Sequence, residues 1–269
     1  MIKKLAPALF LLFVFPSFVF AQDFDFNRAN SDYLYNLSLY REAHQEYVSA
    51  KEAYLKYKTL TSKNTALEKT LRMTQLRDEV VRTYLIALKM KLGETPGIFS
   101  DDKNVFNLKL DNEADWYLKH KEELSSAATL GDLANLAKVS STRYSSRSEI
   151  LIYQTLYKIL LGKEFTLKGE IEIQIEAIRE KLKEIKEKGD KDISLPERWL
   201  LETENRLLRF EEKVSASQAI MASIEKNTYR ESVYRKAQLL LEEGHQYLKE
   251  ANRYLKEIIR EIKTADGNY

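Results

Sequence analysis

The chain has 269 residues, with 43 basic and 41 acidic side chains, eight glycines, four prolines and no cysteine. The missing cysteine excludes disulfides, thiol chemistry, cysteine metal sites and a lipid-anchored leader. Loss of Lys3 and Lys4 with a leader would leave 41 basic residues against 41 acidic ones, without the positive excess that binding to nucleic acid or anionic lipid by bulk charge requires.

The first 21 residues read as a secretory signal. Lys3 and Lys4 supply the positive start, Leu5 to Phe15 the apolar run, and Pro16 and Ser17 its end. Val19 and Ala21 offer small residues at the −3 and −1 positions of a cleavage site. The run is shorter than the roughly 20 residues of a spanning helix. No later segment is apolar enough to cross a bilayer, so cleavage is expected over retention as an anchor. The expected location is periplasmic or extracellular, and lysine-rich, cysteine-free export associates with a bacterium.

Beyond the leader, helix breakers are scarce. Only Pro96 and Pro196 remain, and Leu, Lys, Glu and Ala dominate, a composition that favours long helices. A first helix is expected from about Arg28 to Leu60. Tyr33, Tyr40, Tyr47 and Tyr54 recur in it every seven residues, with Asn36, Ala43, Ala50 and Tyr57 at the complementary heptad position. A stripe of this kind reads as core, with hydroxyls at the seam edge, before it reads as an aromatic groove for a ligand.

A second helix is expected from about Ala66 to Leu92. The Thr65–Glu68 pair would cap its start, since a Ser or Thr side chain accepts from an early amide while an acid three residues on caps in return. Its seam is Met73, Leu76, Val80, Ala87 and Met90. Pro96 and Gly97 sit in a loop read from Gly93 to about Leu110, where Ile98, Phe99, Val105 and Phe106 are apolar and outside any periodic helix. Those four are the candidate partner-binding residues, although a loop folded over the bundle end would also bury them.

A third helix covers about Asn112 to Ala127. A short one follows Thr129–Asp132, from Gly131 to about Val139. Ser140 to Ser148 reads as a polar linker, and its two arginines before a helix start could hold an anion. Further helices are read at Arg147–Leu161, after the Ser146–Glu149 box, and at Lys168–Lys188. Residues 165–175 leave helix and strand both open. Glu170 to Ile175 alternates with period two, but Ile171, Ile175, Ile178, Leu182 and Ile185 continue a helical spacing that favours helix.

The last two helices run from Leu195 to about Lys226, after the Ser194–Glu197 box, and from Tyr229 to about Lys263, after Thr228–Glu231. The first has the seam Leu200, Leu207, Phe210, Val214, Met221 and Ile224. The second holds Tyr234, Ala237, Leu241, Gly244, Leu248, Ala251, Leu255, Ile258 and Ile262 in unbroken 3-4 spacing. The fold expected is all-α, an elongated antiparallel coiled-coil-like bundle of about seven helices. Its long helices 1, 2, 6 and 7 would form the main bundle, and 1 and 7 would touch. Residues 22–269 form one domain, with 93–192 as a candidate subdomain of shorter helices.

No Gly-rich phosphate loop, nucleophile elbow or metalloprotease motif is present, and the chain reads as a non-enzyme without cofactor. If helices 1 and 7 paired, His44 and His245 would approach at mid-bundle. Glu242 and His245 form a single Glu-x-x-His, whereas di-iron bundles use two with two further glutamates. His44, Glu242 and His245 are therefore weak metal candidates. Asp102, Asn104 and Glu113 match three positions of a calcium loop, but Phe106 and Asn107 violate it.

The function expected is an exported scaffold, adaptor or envelope-associated binding protein, acting on another protein or an envelope component. A homodimer through the same seam is open. The competing reading is a small-ligand or metal-binding bundle with a site near His44 and His245.

Overall fold

The computed structural model describes residues 25–188 and 192–265, and the leader lies outside them. Seven α-helices follow in order: α1 Phe26–Tyr57, α2 Leu60–Glu94, α3 Ser100–Leu124, α4 Leu130–Arg143, α5 Glu149–Lys188, α6 Ser194–Met221 and α7 Arg230–Ala265. A π turn, Tyr144–Ser148, joins α4 to α5 with helical backbone on both sides. The two therefore form one continuous rod, so the described residues make six helical rods and not about seven. No strand occurs among the described residues.

Local chemistry sets the helix ends. Asp25 caps α1 by accepting from the Arg28 amide at 2.9 Å. Lys58 then turns left-handed (φ 52°) and Thr59 starts α2 through a reciprocal box with Ser62. The box expected at Thr65–Glu68 lies inside α2 instead, because a turn of only Lys58 and Thr59 separates the helices. The Thr129–Asp132 box caps α4 as read, whereas Ser146 and Glu149 lie within the continuous rod. Ser194 is the first residue of α6, with Ile193 at the cap position. Residues 165–175 are helical, and Ile171, Ile175, Ile178, Leu182 and Ile185 are all buried.

The α4–α5 rod is the spine. At 1.5 Å per residue it is about 90 Å long. Around its first half α2 runs parallel to it, with α1 and α3 antiparallel on α2: Phe26 N–H meets Glu94, and Asp78 meets both His120 and Ser140. Around its second half α6 runs antiparallel, through Lys186–Glu197 and Arg179–Glu204. There α7 runs parallel, through Arg230–Glu149 and His245–Glu164.

Two cores result. One joins α5, α6 and α7 around Phe210, Leu248, Leu255 and Ile258, and the other joins α2, α3 and the start of α5 around Leu85, Leu92, Leu110 and Tyr117. The seams read for α6 and α7 fill the first core.

The expected pairing of helices 1 and 7 is not what the fold uses. The seam of α1 packs on α2, and that of α7 packs on α6 and α5. A rigid spine between the two hairpins offsets them along its length, so each hairpin satisfies its own heptads. In α1 the alanines Ala29, Ala43 and Ala50 are buried, while the four stripe tyrosines are half-buried along the edges. Five tyrosines, Tyr33, Tyr84, Tyr144, Tyr153 and Tyr234, gather where the halves meet. Tyr33 and Tyr84 have ring centroids 5.0 Å apart, and Tyr153 and Tyr234 5.2 Å. Burial, reinforced by the neighbouring tyrosines, pushes the Tyr84 hydroxyl up to about 12.

Overpacking tests this arrangement. A Cβ on Gly244 would already stand 3.1 Å from Phe210 Cδ2. Gly244→Leu and Ala43→Leu should each lose about 1–3 kcal/mol in urea unfolding. The losses should add in the double variant, because the seams are separate. Strong coupling between them would mean a shared seam.

Candidate functional site

The second core, of α2, α3 and the start of α5, contains polar side chains that the apolar periodicity did not reveal. The inward face of α3 runs Phe106, Leu110, Glu113, Tyr117, His120 and Leu124, all buried. The spacing is an unbroken 4-3-4-3-4, but three of its six members, Glu113, Tyr117 and His120, are titratable. On α2, Thr74, Asp78, Glu79 and Thr83 are buried beside Leu85, Leu88 and Leu92. Burying a charge costs several kcal/mol unless it is paired and hydrogen-bonded, so each of these groups needs partners.

Asp78, fully buried, accepts from Ser140 Oγ at 2.7 Å and lies 2.5 Å from His120 Nδ1. Arg77 Nη2 stands 3.5 Å from the same oxygen, Oδ1, that accepts from Ser140. Opposite a carboxylate, His120 carries its proton on Nδ1. Its ring stacks on Trp116 with centroids 4.8 Å apart and planes 13° apart. The contacts are not those of a nucleophilic triad: the Ser140 hydroxyl donates to the carboxylate and not to the imidazole. His120 Nε2 is buried without a hydrogen-bond partner.

A second network continues from there. Glu113 accepts from Arg143 Nε at 2.9 and 3.2 Å, from Arg143 Nη2 at 2.6 Å and from Ser148 Oγ at 2.7 Å. Ser148 also meets the Tyr117 hydroxyl at 2.8 Å. Burial raises the Tyr117 hydroxyl well above its ordinary value; the Ser148 contact opposes this and the Glu113 charge adds to it. Arg143 lies 5.0 Å from the Trp116 ring, which ties the two networks together.

The π turn makes this geometry. Ser140 and Ser148 are both buried against α2 and α3, eight residues apart. In a regular helix the residue seven after Ser140, Arg147, would occupy that face. The extra residue of the π turn brings Ser148 inward and leaves Arg147 exposed. Such bulges recur at functional sites.

Clefts open on both sides of the network. One, of about 650 Å³, is lined by Lys109, Asn112, Glu113, Arg143, Ser146, Arg147, Ile150, Leu151, Gln154 and Glu225. The other, of about 300 Å³, is lined by Arg77, Val81, Tyr117, Ser140, Ser141 and Tyr144.

Glu79, beside Asp78, pairs with Arg82 at 2.5 Å and Lys121 at 2.9 Å. Burial pulls its carboxyl upward, but the Arg82 and Lys121 hydrogen bonds and charges outweigh this and hold it below the ordinary 4.5. A depressed carboxylate stabilises the fold above its unfolded value and loses that contribution as pH falls through the folded one. Glu79→Gln should therefore melt below the parent at neutral pH. The gap should close on acidification below 4.5; a gap independent of pH would refute the pairing.

The residues singled out from sequence lie elsewhere. His44 is exposed on α1 between the rings of Tyr40 and Tyr47, at 5.9 and 6.0 Å. His245 pairs with Glu164 at 2.9 Å, and Glu242 accepts from Gln238. The structure does not bring His44 and His245 together, since their helices flank opposite halves of the spine. Among the described residues no group of three His, Asp or Glu is arranged to hold a metal ion.

Helix α3 starts at Ser100, so only Ile98 and Phe99 of the apolar quartet remain in a loop. Ile98 is half-buried and Phe99 80% exposed, while Val105 is half exposed and Phe106 in the core. The calcium-loop reading fails because Asp102 and Glu113 lie on that helix, paired with Lys158 and Arg143. No helix among the described residues is long and apolar enough to cross a membrane.

Comparison with protein-family models, with curated proteins and with solved structures gives no match.

Proposed function

We propose that this chain is an exported, non-enzymatic helical protein that works through contacts outside the cytoplasm, as a scaffold, adaptor or envelope-associated binding module. The observation that carries this reading is the outer face of α1. Its side against α2 is lined by small residues, while Leu34, Val48 and Leu55, on one heptad stripe with Arg41, are 53, 38 and 59% exposed. A helix that presents apolar side chains away from its own bundle suits docking of a second amphipathic helix. The partner is another protein of the envelope. The leader of Lys3, Lys4 and the apolar run to Phe15 supports the location.

The test is a photo-crosslinker at position 48 in the expressed full chain. An adduct with a second protein in the exported fraction is expected, and it should vanish in the Leu34→Asp, Leu55→Asp double variant. An adduct of twice the chain's own mass identifies a homodimer instead. A chain that stays in the cytosol with its leader intact, or an adduct indifferent to both aspartates, refutes the proposal.

A further inference from the structure

We infer that the cleft at the π turn binds a small organic anion, with a carboxylate or phosphate head and a short apolar body. Neighbouring cations on this part of the surface have carboxylate partners: Arg143 with Glu113, Lys158 with Asp102, Lys89 with Asp111 and Arg230 with Glu149. Lys109 and Arg147 are exceptions, with no carboxylate partner among the described residues, and both line the same cleft.

Glu113, in the cleft wall, does not neutralise them. Its two oxygens are taken by three contacts from Arg143 and one from Ser148. Glu225 is the other acid of the lining, and it accepts from Gln154 at 3.2 Å. Lys109, whose ammonium lies 5.4 Å from the Phe106 ring centroid, and Arg147 are two cations without a carboxylate partner against one acid, which leaves the cleft with a net positive charge.

The register shift supports the same reading. A π turn gives up regular helical hydrogen bonding, and here it aims a guanidinium into a cleft where a regular helix would bury it. A guanidinium matches the paired oxygens of a carboxylate or phosphate with two parallel donors, and an ammonium adds a point charge. Between them Asn112 and Ser146 supply neutral hydrogen-bonding groups, and Ile150 and Leu151 an apolar wall. The combination of one charged end and one apolar wall selects an amphiphilic small molecule over a bare inorganic ion.

Isothermal titration of the full-length mature chain at low salt tests this, with hexyl phosphate, hexanoate and inorganic phosphate as probes. At least one of the two hexyl compounds should bind, and more tightly than inorganic phosphate; which one binds better identifies the head group. The Lys109→Gln, Arg147→Gln double variant should bind it roughly tenfold more weakly, the scale of one lost charge-assisted contact. Its thermal melt should match the parent, because both side chains are exposed. Arg147→Lys should bind better than Arg147→Gln. No heat from either hexyl compound, or affinity unchanged in the double variant, overturns the inference. Inorganic phosphate binding as well as hexyl phosphate would overturn the apolar half of it.

Discussion

Gly97→Ala is expected to be among the most damaging single substitutions in this chain. Gly97 has φ +72°, and a Cβ there would lie 2.1 Å from the carbonyl oxygen of Gly162 and 2.6 Å from Thr166 Oγ1. Alanine in the left-handed region costs about 1–2 kcal/mol, and forced overpacking adds about 1–3 kcal/mol. Gly162 is the other half of the contact. Its Cβ would meet Ile98 Cγ1 at 2.4 Å and the Pro96 carbonyl oxygen at 2.9 Å. The short loop after α2 thus crosses the spine with backbone against backbone, and two glycines make room for it.

Gly162→Ala should also destabilise, even though alanine in a helix interior normally gains up to about 1 kcal/mol over glycine. Gly169, two turns further along α5, has nothing within 4 Å of its would-be Cβ, so Gly169→Ala should show that gain. Urea unfolding midpoints of the three variants should split in sign, with the first two below the parent and the third above. Three shifts of the same sign would show that the loop does not cross the spine as described.

Arg143→Met is expected to cost about 3–5 kcal/mol, the scale of a buried charge left without its partner. Glu113 is 5% exposed and keeps only Ser148 once the guanidinium is gone. Adding Glu113→Gln to Arg143→Met removes the stranded charge and should recover part of the loss. The double-mutant cycle then measures the coupling between the two sites directly. Chemical denaturation at neutral pH reads all three variants. A loss under about 1 kcal/mol in the single variant, the scale of an exposed surface pair, would show that Glu113 reaches water and that the network is not a buried one.

How much could be read in advance depended on whether core positions were apolar. In α6 and α7 every seam residue from Leu200 to Ile258 is apolar or small, so periodicity alone located both helices and their inward faces. The α3 face has the same spacing, but Glu113 and His120 sit at two of its steps. Measured by hydropathy the pattern breaks there, and the first three turns of α3 read as loop. On α2 the expected seam of Met73, Leu76, Val80, Ala87 and Met90 is half-buried except at Ala87, while the better-buried line passes through Thr74, Asp78, Leu85, Leu88 and Leu92. Periodicity hides the candidate site for the same reason. Its members look like surface residues until a partner from another helix is placed beside each one, and no spacing within α3 announces that Asp78 lies 42 positions away from His120.

The serine-rich stretch shows the converse. Ser140 to Ser148 resembles a linker in composition, because serine competes for backbone hydrogen bonds and favours turns. Packing overrides that preference: Ser140 and Ser148 complete buried carboxylates on α2 and α3.

The sequence by itself determined the all-α class, the helix starts near Thr129, Ser194 and Thr228, and the heptad faces of α6 and α7, because these follow from contacts within a few residues along the chain. Only the tertiary structure decided which seam meets which. Heptads specify that a helix needs a partner but not its identity, and here a continuous spine from Leu130 to Lys188 separates two hairpins that the pattern alone would have paired. The buried polar network and the cleft beside it belong to that second kind of information, since a charge becomes affordable in a core only when a distant helix brings the opposite charge to it.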